Sequence, residues 1–142
     1  MAAGKPHIAL KYLKLASEIG HNDETIHSEI GIFLTDQGFF EEAQAELKKA
    51  LIYNEDPSRV YNNWGYYYFK IKKHDKSIGS FQKAIALNPK NAGYYNNLAF
   101  VLFKTGRKAE AIATLQKSLT IKGDQPVIKG ALERMEGDSK KN

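Results

Sequence analysis

Apolar residues recur along this chain at intervals of three and four positions, which is the spacing of one face of an α-helix. Tyr61, Trp64 and Tyr68 give one example. The pattern returns 34 residues later, because "RVYNNWGYYYFK" at 59–70 and "GYYNNLAFVLFK" at 93–104 align asparagine with asparagine and phenylalanine with phenylalanine. A fixed period of this length is typical of repeat proteins, so we divide the chain into units first.

Three units of 34 residues follow one another without a gap, at 24–57, 58–91 and 92–125. We number the positions of a unit as columns 1 to 34. Columns 8, 20 and 27 hold small residues and columns 11 and 24 hold large ones. The small residues are Gly31, Gly65 and Ala99 in column 8, Ala43, Ser77 and Ala111 in column 20, and Ala50, Ala84 and Ser118 in column 27. The large residues are Leu34, Tyr68 and Leu102 in column 11, and Leu47, Phe81 and Leu115 in column 24. The periodicity predicts two helices in each unit, which approach closely at the small residues and interlock at the large ones.

Glycine and proline mark the ends of the predicted helices. Gly38 and Gly106 lie between the two helices of the first and third units, where a positive φ would end the first helix. Pro57 and Pro89 fall at the boundaries between units, where a helix should stop.

The columns that read Trp or Ile, Gly, Tyr or Leu, Ala, Phe or Leu, Ala and Pro resemble the tetratricopeptide repeat over residues 24–125. Ser77 and Ser118 replace alanine with a residue of similar size, and Glu55 and Gly123 stand where the family has proline. The resemblance implies an all-α fold, a right-handed superhelix of antiparallel helix pairs (an α-solenoid). It also implies that the first helices line a concave groove that binds a protein or peptide without catalysis.

The segments outside the three units are expected to complete a single domain over residues 1–142. Residues 126–137 carry one apolar stripe, as a capping helix should, and residues 138–142 are expected to be a flexible tail. Residues 7–20 fit the second-helix columns of an earlier unit whose first helix is missing, so they form a half repeat. We expect one apolar stripe to pack on the unit that follows; it consists of Ile8, Tyr12, Leu15 and Ile19. We expect a second stripe to face the missing helix; it consists of Ala9, Leu13 and Ala16.

Two apolar stripes on residues 7–20 imply two neighbours. We therefore expect that the chain was cut from a longer one, or that a second copy or a partner covers this segment. The alternative is that a short chain tolerates an exposed face at Ala9, Leu13 and Ala16, because alanine side chains expose little apolar area.

The side of the first helices opposite the predicted core corresponds to the groove wall in the family. The expected peptide-binding residues are Ile32, Arg59, Asn62, Asn63, Tyr66, Phe69, Lys70, Asn96, Asn97, Phe100, Phe103 and Lys104. Asn63 and Asn97 share a column, and their amides could form a ladder that grips a ligand backbone, because an amide both donates and accepts. Alternatively, they bond to the neighbouring helix and the other two asparagines are solvated. A phenylalanine opposite the core, such as Phe100, is costly unless a partner covers it.

The net charge of +5 is unevenly distributed. The first unit has two basic and eight acidic residues, the second has seven and one, and the third has five and two. We expect the first two units to attract one another, and the remaining basic surface to favour an acidic partner.

The heat-shock chaperone clamp found in part of this family is disfavoured. That clamp needs lysine and asparagine in the first unit, where this chain has Ser28 and Ile32. It needs lysine and arginine in the third, where Gly93 and Asn97 stand, and only Asn63 fits.

Enzymatic residues are not evident, so we expect neither catalysis nor a cofactor. The chain has no cysteine, and its four histidines are scattered. Glu24 and His27 lie one helical turn apart, but no further metal ligand accompanies them, which favours a solvated first turn over a metal site.

Two alternative functions stay open, a self-assembling scaffold and a helical repeat that binds RNA or single-stranded nucleic acid. The lysines count against nucleic acid, because Lys72, Lys73, Lys76 and Lys83 are expected away from the groove with no aromatic residues beside them. No apolar run is long enough for a membrane span, so the default expectation is a soluble, cytoplasmic protein.

Overall fold

The computed structural model describes residues 24–53 and 56–139, together with Lys11, Leu15, Glu18 and Ile19. Within the two longer segments, all regular structure is helical, in three helix pairs followed by a seventh helix. These helices are α1 (Glu24–Gln37), α2 (Phe40–Ile52), α3 (Pro57–Lys70), α4 (His74–Leu87), α5 (Ala92–Lys104), α6 (Lys108–Ile121) and α7 (Pro126–Ser139). The all-α solenoid predicted from the sequence is confirmed, and each unit contributes one pair.

The same turn joins the two helices of every pair. In all three turns, the N–H at column 16 donates to the carbonyl at column 11 over 2.8 to 2.9 Å. The residue before it, at column 15, has a positive φ: 82° at Gly38, 61° at Lys72 and 80° at Gly106. This geometry is the Schellman motif. The two glycines confirm the prediction, whereas Lys72 adopts the same conformation despite its side chain.

Replacing Lys72 by glycine should stabilise the protein by about 0.5–1 kcal/mol. A side chain in the left-handed region costs about 1–2 kcal/mol, and glycine removes that cost at the expense of a more flexible unfolded chain. Urea unfolding measures the difference. The control is Lys73→Gly, because Lys73 has a φ of −91°, outside the left-handed region, so glycine relieves no backbone strain there. Equal losses in both variants would show that the Lys72 conformation carries no strain.

Side chains cap the first helices of the second and third units. The Asp56 carboxylate accepts from the Ser58 N–H at 3.0 Å, and the Asn91 side chain accepts from the Gly93 N–H at 3.0 Å. Pro57 is the first residue of α3, where its missing N–H costs nothing. Pro57 therefore begins a helix instead of ending one, which corrects the sequence interpretation.

Close packing within each pair explains why column 8 is small. A Cβ built on Gly31 would lie 2.7 Å from Leu47 Cγ, and one on Gly65 would lie 2.7 Å from two ring atoms of Phe81. The Ser77 hydroxyl, at the next small column, donates to the Gly65 carbonyl at 2.7 Å. The serine is therefore a bonded part of the helix contact as well as a residue of suitable size.

Packing between units buries a second face of α3. This helix contacts both α1 and α2 of the preceding unit. Val60 and Tyr67 are buried in the resulting cluster together with Trp64, whereas Tyr61 and Tyr68 are half-buried. The helical period of three and four residues predicts a core face of Tyr61, Trp64, Gly65 and Tyr68, which omits Val60 and Tyr67. The first helix of a unit has two packed faces because it touches its own second helix and the preceding unit.

The last helix, α7, covers the end of the third unit with one face. Ile128, Leu132 and Met135 pack against the cluster formed by the second and third units. The helix continues to Ser139, two residues into the segment predicted to be a tail. Gly137 does not end it, because a glycine terminates a helix only when it takes a positive φ, and Gly137 does not. Residues 140–142 lie outside the described residues.

The predicted half repeat at 7–20 lies mostly outside the described residues, including Ala9, Leu13 and Ala16. Its four described residues are helical. Leu15 is 49% exposed and Ile19 is 77% exposed. The exposure of Ile19 contradicts the prediction that it packs on the following unit, whereas the same expectation for the half-exposed Leu15 stays a prediction.

Candidate functional site

The first helices α1, α3 and α5 carry the predicted binding residues on one face, which we call the groove face. It comprises columns 2, 5, 6, 9, 12 and 13 of these helices. Ile32, Arg59 and Tyr66 are half-buried on it, whereas Asn97 and Lys104 are exposed. The contacts among these residues determine which of them remain available to a ligand.

The asparagines of the groove face connect neighbouring units. The Asn97 amide donates to Asn62 Oδ1 at 2.8 Å, and the Asn63 amide donates to the Ser28 hydroxyl. In both cases column 6 of one unit bonds column 5 of the unit before it. The structure thus shows the alternative in which Asn63 and Asn97 bond to the neighbouring helix. Asn62 also has a protein partner, so it is not simply solvated.

Asn96 lies at the junction between α5 and the capping helix. Its amide donates to Gln125 Oε1 at 2.8 Å, immediately before α7 begins. The sequence analysis missed both Gln125 and Ser28 as partners. The signal for Ser28 was present, because it shares column 5 with Asn62 and Asn96.

An aromatic patch stands out from the groove face, consisting of Phe69, Phe100 and Phe103. The rings of Phe69 and Phe100 meet edge to face, with centroids 5.2 Å apart. Phe100 is 49% exposed and Phe103 is 42% exposed. Residues three apart share one side of a helix, so these two rings extend in the same direction from α5. The chain therefore presents a contiguous apolar surface at this point.

The two lysines beside the aromatic patch, Lys70 and Lys104, differ in whether an acidic side chain already lies near them. Asp36 accepts a hydrogen bond from the Tyr66 hydroxyl and lies 3.9 Å from Lys70 Nζ. Burial, followed by the hydrogen bond to Asp36 and its charge, raises the pKa of Tyr66 to about 12. Lys104 Nζ instead lies 5.5 Å from the Phe100 ring centroid and forms no ion pair within the described chain. Lys104 is therefore the available cation beside the patch, and Lys70 is partly neutralised.

His27 does not lie in a solvated first turn, contrary to the sequence interpretation. It is buried in the first unit, and its Nδ1 lies 2.7 Å from Glu46 Oε2 on α2. Lys49 Nζ contacts the same carboxylate at 2.8 Å. No group of three histidine or acidic side chains in the described residues could hold a metal ion. His27 joins α1 to α2 through this carboxylate.

Stability should depend on pH through Glu46. Burial alone would raise the pKa of this carboxyl group, but hydrogen bonds from Lys49 and His27 outweigh burial and lower it below 4.5. Glu46 therefore makes its full contribution to the free energy of unfolding above about pH 4.5. That contribution is lost as the pH falls through the lower pKa that Glu46 has in the folded protein. Replacing Glu46 by glutamine should cost about 1–3 kcal/mol at pH 7, because His27, which loses its carboxylate partner, remains buried.

Urea unfolding of wild type and Glu46→Gln between pH 7 and 3 measures this effect. The free-energy difference between the two proteins should shrink in the acidic range. Glu110→Gln is the control, because Glu110 pairs with Arg107 on the exposed surface and should contribute little. A difference that stays constant with pH would contradict the assignment.

Two lysines of α4 have aromatic neighbours, which corrects the expectation that none accompany them. Lys83 Nζ lies 4.0 Å from the Tyr61 ring centroid, and Lys76 Nζ lies 5.7 Å from that of Tyr68. Because the lysines cover these rings, the tyrosines do not form an open surface on which bases could stack.

No helix in the described part of the chain is long and apolar enough to cross a membrane.

Residues 65–106 match a family model described as TPR repeat, and residues 92–125 match one described as tetratricopeptide repeat. No curated protein sequence matched the chain.

Solved structures of similar fold cover almost all of the chain. MamA is 25% identical with a TM-score of 0.75, over 96% of this chain and 80% of MamA. A thermophilic TPR protein of Thermus thermophilus is 22% identical with a TM-score of 0.81, over 93% of this chain and 73% of that one. PilF of Pseudomonas aeruginosa is 22% identical with a TM-score of 0.80, over 97% of this chain and 63% of its own. Residues 65–125 are therefore similar to tetratricopeptide repeats, and the chain has the fold of a tetratricopeptide repeat solenoid.

Proposed function

We propose that this protein is a non-catalytic adaptor that binds a partner peptide on its groove face, with the aromatic patch as the anchor. The observation that carries the proposal is the exposure of Phe100 and Phe103 beside Phe69. Exposed aromatic rings in a cluster are costly in water and are enriched at protein interfaces. A peptide side chain that covers them would gain most of its binding energy there.

The charges near the patch favour an acidic residue next to the apolar anchor of the peptide. Lys104 is the available cation, whereas Asp36 already faces Lys70. An acidic peptide would therefore bind toward the third unit. Interface charges of this kind act mainly on the association rate, which should fall as salt is raised.

The asparagines support this function indirectly. Asn63 bonds to Ser28 and so positions α3 against α1, and Asn97 bonds to Asn62 and so positions α5 against α3. Each amide retains an oxygen and a second N–H that can still meet a ligand backbone. The asparagines are for this reason poor test sites, because replacing them would disturb the contact between units as well as any ligand.

Selection of displayed random peptides against the wild-type protein tests the proposal. The enriched peptides should contain a large apolar residue with acidic neighbours. Their affinity should fall at least about tenfold in Phe100→Ala, as expected when an anchoring contact worth more than about 1.4 kcal/mol is removed. Leu87→Ala is the matched control, because Leu87 is 48% exposed and lies on α4, outside the groove face. Equal binding of the enriched peptides to wild type and Phe100→Ala would overturn the proposal.

A further inference from the structure

A second concave site lies away from the groove face, between the second helices of the second and third units. It is a pocket of about 310 Å³, which we call the outer pocket. Its walls are Gln82 and Ile85 of α4 and Ala113, Thr114 and Lys117 of α6. Its floor consists of two buried residues of α5, Tyr95 and Leu98.

One residue that lines the outer pocket is smaller than its counterpart in the second unit. Leu98 stands at column 7, where the second unit has Trp64. Trp64 is buried and packs in the same cluster as Leu51, which shares its column with Ile85. The smaller leucine does not extend as far between the neighbouring helices. The outer pocket opens beside this leucine.

The polar groups around the outer pocket differ in whether they are already engaged. The Thr114 hydroxyl donates to the Glu110 carbonyl at 2.7 Å, and the Tyr95 hydroxyl donates to the Pro89 carbonyl at 3.2 Å. Arg107 holds the Glu110 carboxylate through two bonds of 2.7 and 2.6 Å. Lys117 forms no ion pair in the described chain, so it is an unneutralised cation at the mouth of an apolar pocket.

We propose that the outer pocket is a docking site for one large apolar side chain of a protein partner, with an acidic residue beside it. The volume is at the lower end of the range of about 300–1,000 Å³ typical of ligand pockets, which suits a single anchoring side chain. Lys117 supplies the complementary charge, and the excess of basic residues in the second and third units adds a general attraction for an acidic segment. This site is independent of the groove face.

The experiment titrates the ¹⁵N-labelled full chain with the blocked peptide Glu-Glu-Phe-Glu-Glu and follows the amide NMR signals. Saturable shifts should concentrate on the lining of the outer pocket, including Ile85, Leu98 and Ala113. The peptides Glu-Glu-Ala-Glu-Glu and Lys-Lys-Phe-Lys-Lys should each bind at least about tenfold more weakly, because one lacks the anchor and the other has the wrong charge. Absence of saturable shifts at the pocket would overturn the proposal.

Variants then test the geometry. Leu98→Trp copies the second unit and should reduce the affinity at least about tenfold by filling the pocket. Ala113→Glu adds a carboxylate at the exposed rim and should have the same effect without altering the core. Its matched control is Ala45→Glu, which makes the same change at column 22 of the first unit.

Phe100→Ala separates the two sites. It should leave binding of the acidic phenylalanine peptide at the outer pocket unchanged while weakening peptides selected on the groove face. If Ala113→Glu binds the peptide as tightly as Ala45→Glu, the outer pocket is not the docking site. If Phe100→Ala abolishes binding of the peptide, the contact belongs to the groove face and the proposal fails.

Discussion

Replacing Phe81 by alanine should lower the free energy of unfolding by about 3–5 kcal/mol, as is usual when a buried aromatic side chain is removed. Phe81 is 2% exposed and belongs to the cluster that joins the second and third units. Its ring also lies directly against Gly65 of α3. The truncation would leave a cavity between α3 and α4, where the Phe81 ring fills the space beside Gly65. Urea unfolding followed by circular dichroism measures the loss.

Phe103→Ala is the control for Phe81→Ala, because it removes the same side chain from a surface position. Phe103 is exposed on the groove face, so its loss should change stability by less than about 1 kcal/mol. Similar losses in the two variants would mean that the buried cluster does not dominate the stability of these units.

Replacing Gly65 by alanine should cost about 1–3 kcal/mol, although alanine is the better helix former. The added Cβ would lie 2.7 Å from Phe81 Cδ1 and Cε1, and the ring, which is 2% exposed, is enclosed by other core residues that must shift with it. The control is Gly79→Ala in α4, where an added Cβ meets nothing within 4 Å. That variant should gain up to about 1 kcal/mol from helix propensity. The pair of measurements separates the steric contact from the propensity.

A second substitution should rescue Gly65→Ala. The third unit has Ala99 and Leu115 at the columns that Gly65 and Phe81 occupy, so Gly65→Ala combined with Phe81→Leu reproduces a pair that this chain already contains. The cost of the alanine should therefore be smaller in the Phe81→Leu background than in wild type. Additive losses in this double-mutant cycle would show that the two residues do not interact.

The sequence by itself determined the units and most of the local structure. A 34-residue period with size-restricted columns leaves little freedom, because each column must fit the same neighbour in every unit. The helix pairs and the positive φ at Gly38 and Gly106 follow from this pattern together with glycine's conformational freedom. The exposure of Phe100 was also predictable, since it lies opposite the core face of α5, and Phe103 was expected on the flank of that helix.

Only the tertiary structure decided the partners of the polar side chains, the burial of some apolar residues and the position of the outer pocket. Asn63 and Asn97 bond across units, and His27 is buried against Glu46, because hydrogen-bond partners come from helices that are distant in sequence. Val60 and Tyr67 are buried because α3 contacts the preceding unit, a neighbour that the periodicity of one helix does not reveal. The outer pocket exists only because α4, α5 and α6 lie side by side and bring together Ile85, Leu98 and Ala113, which are distant in sequence. A repeat pattern records the size that each position requires, whereas partners and cavities depend on the distances between helices.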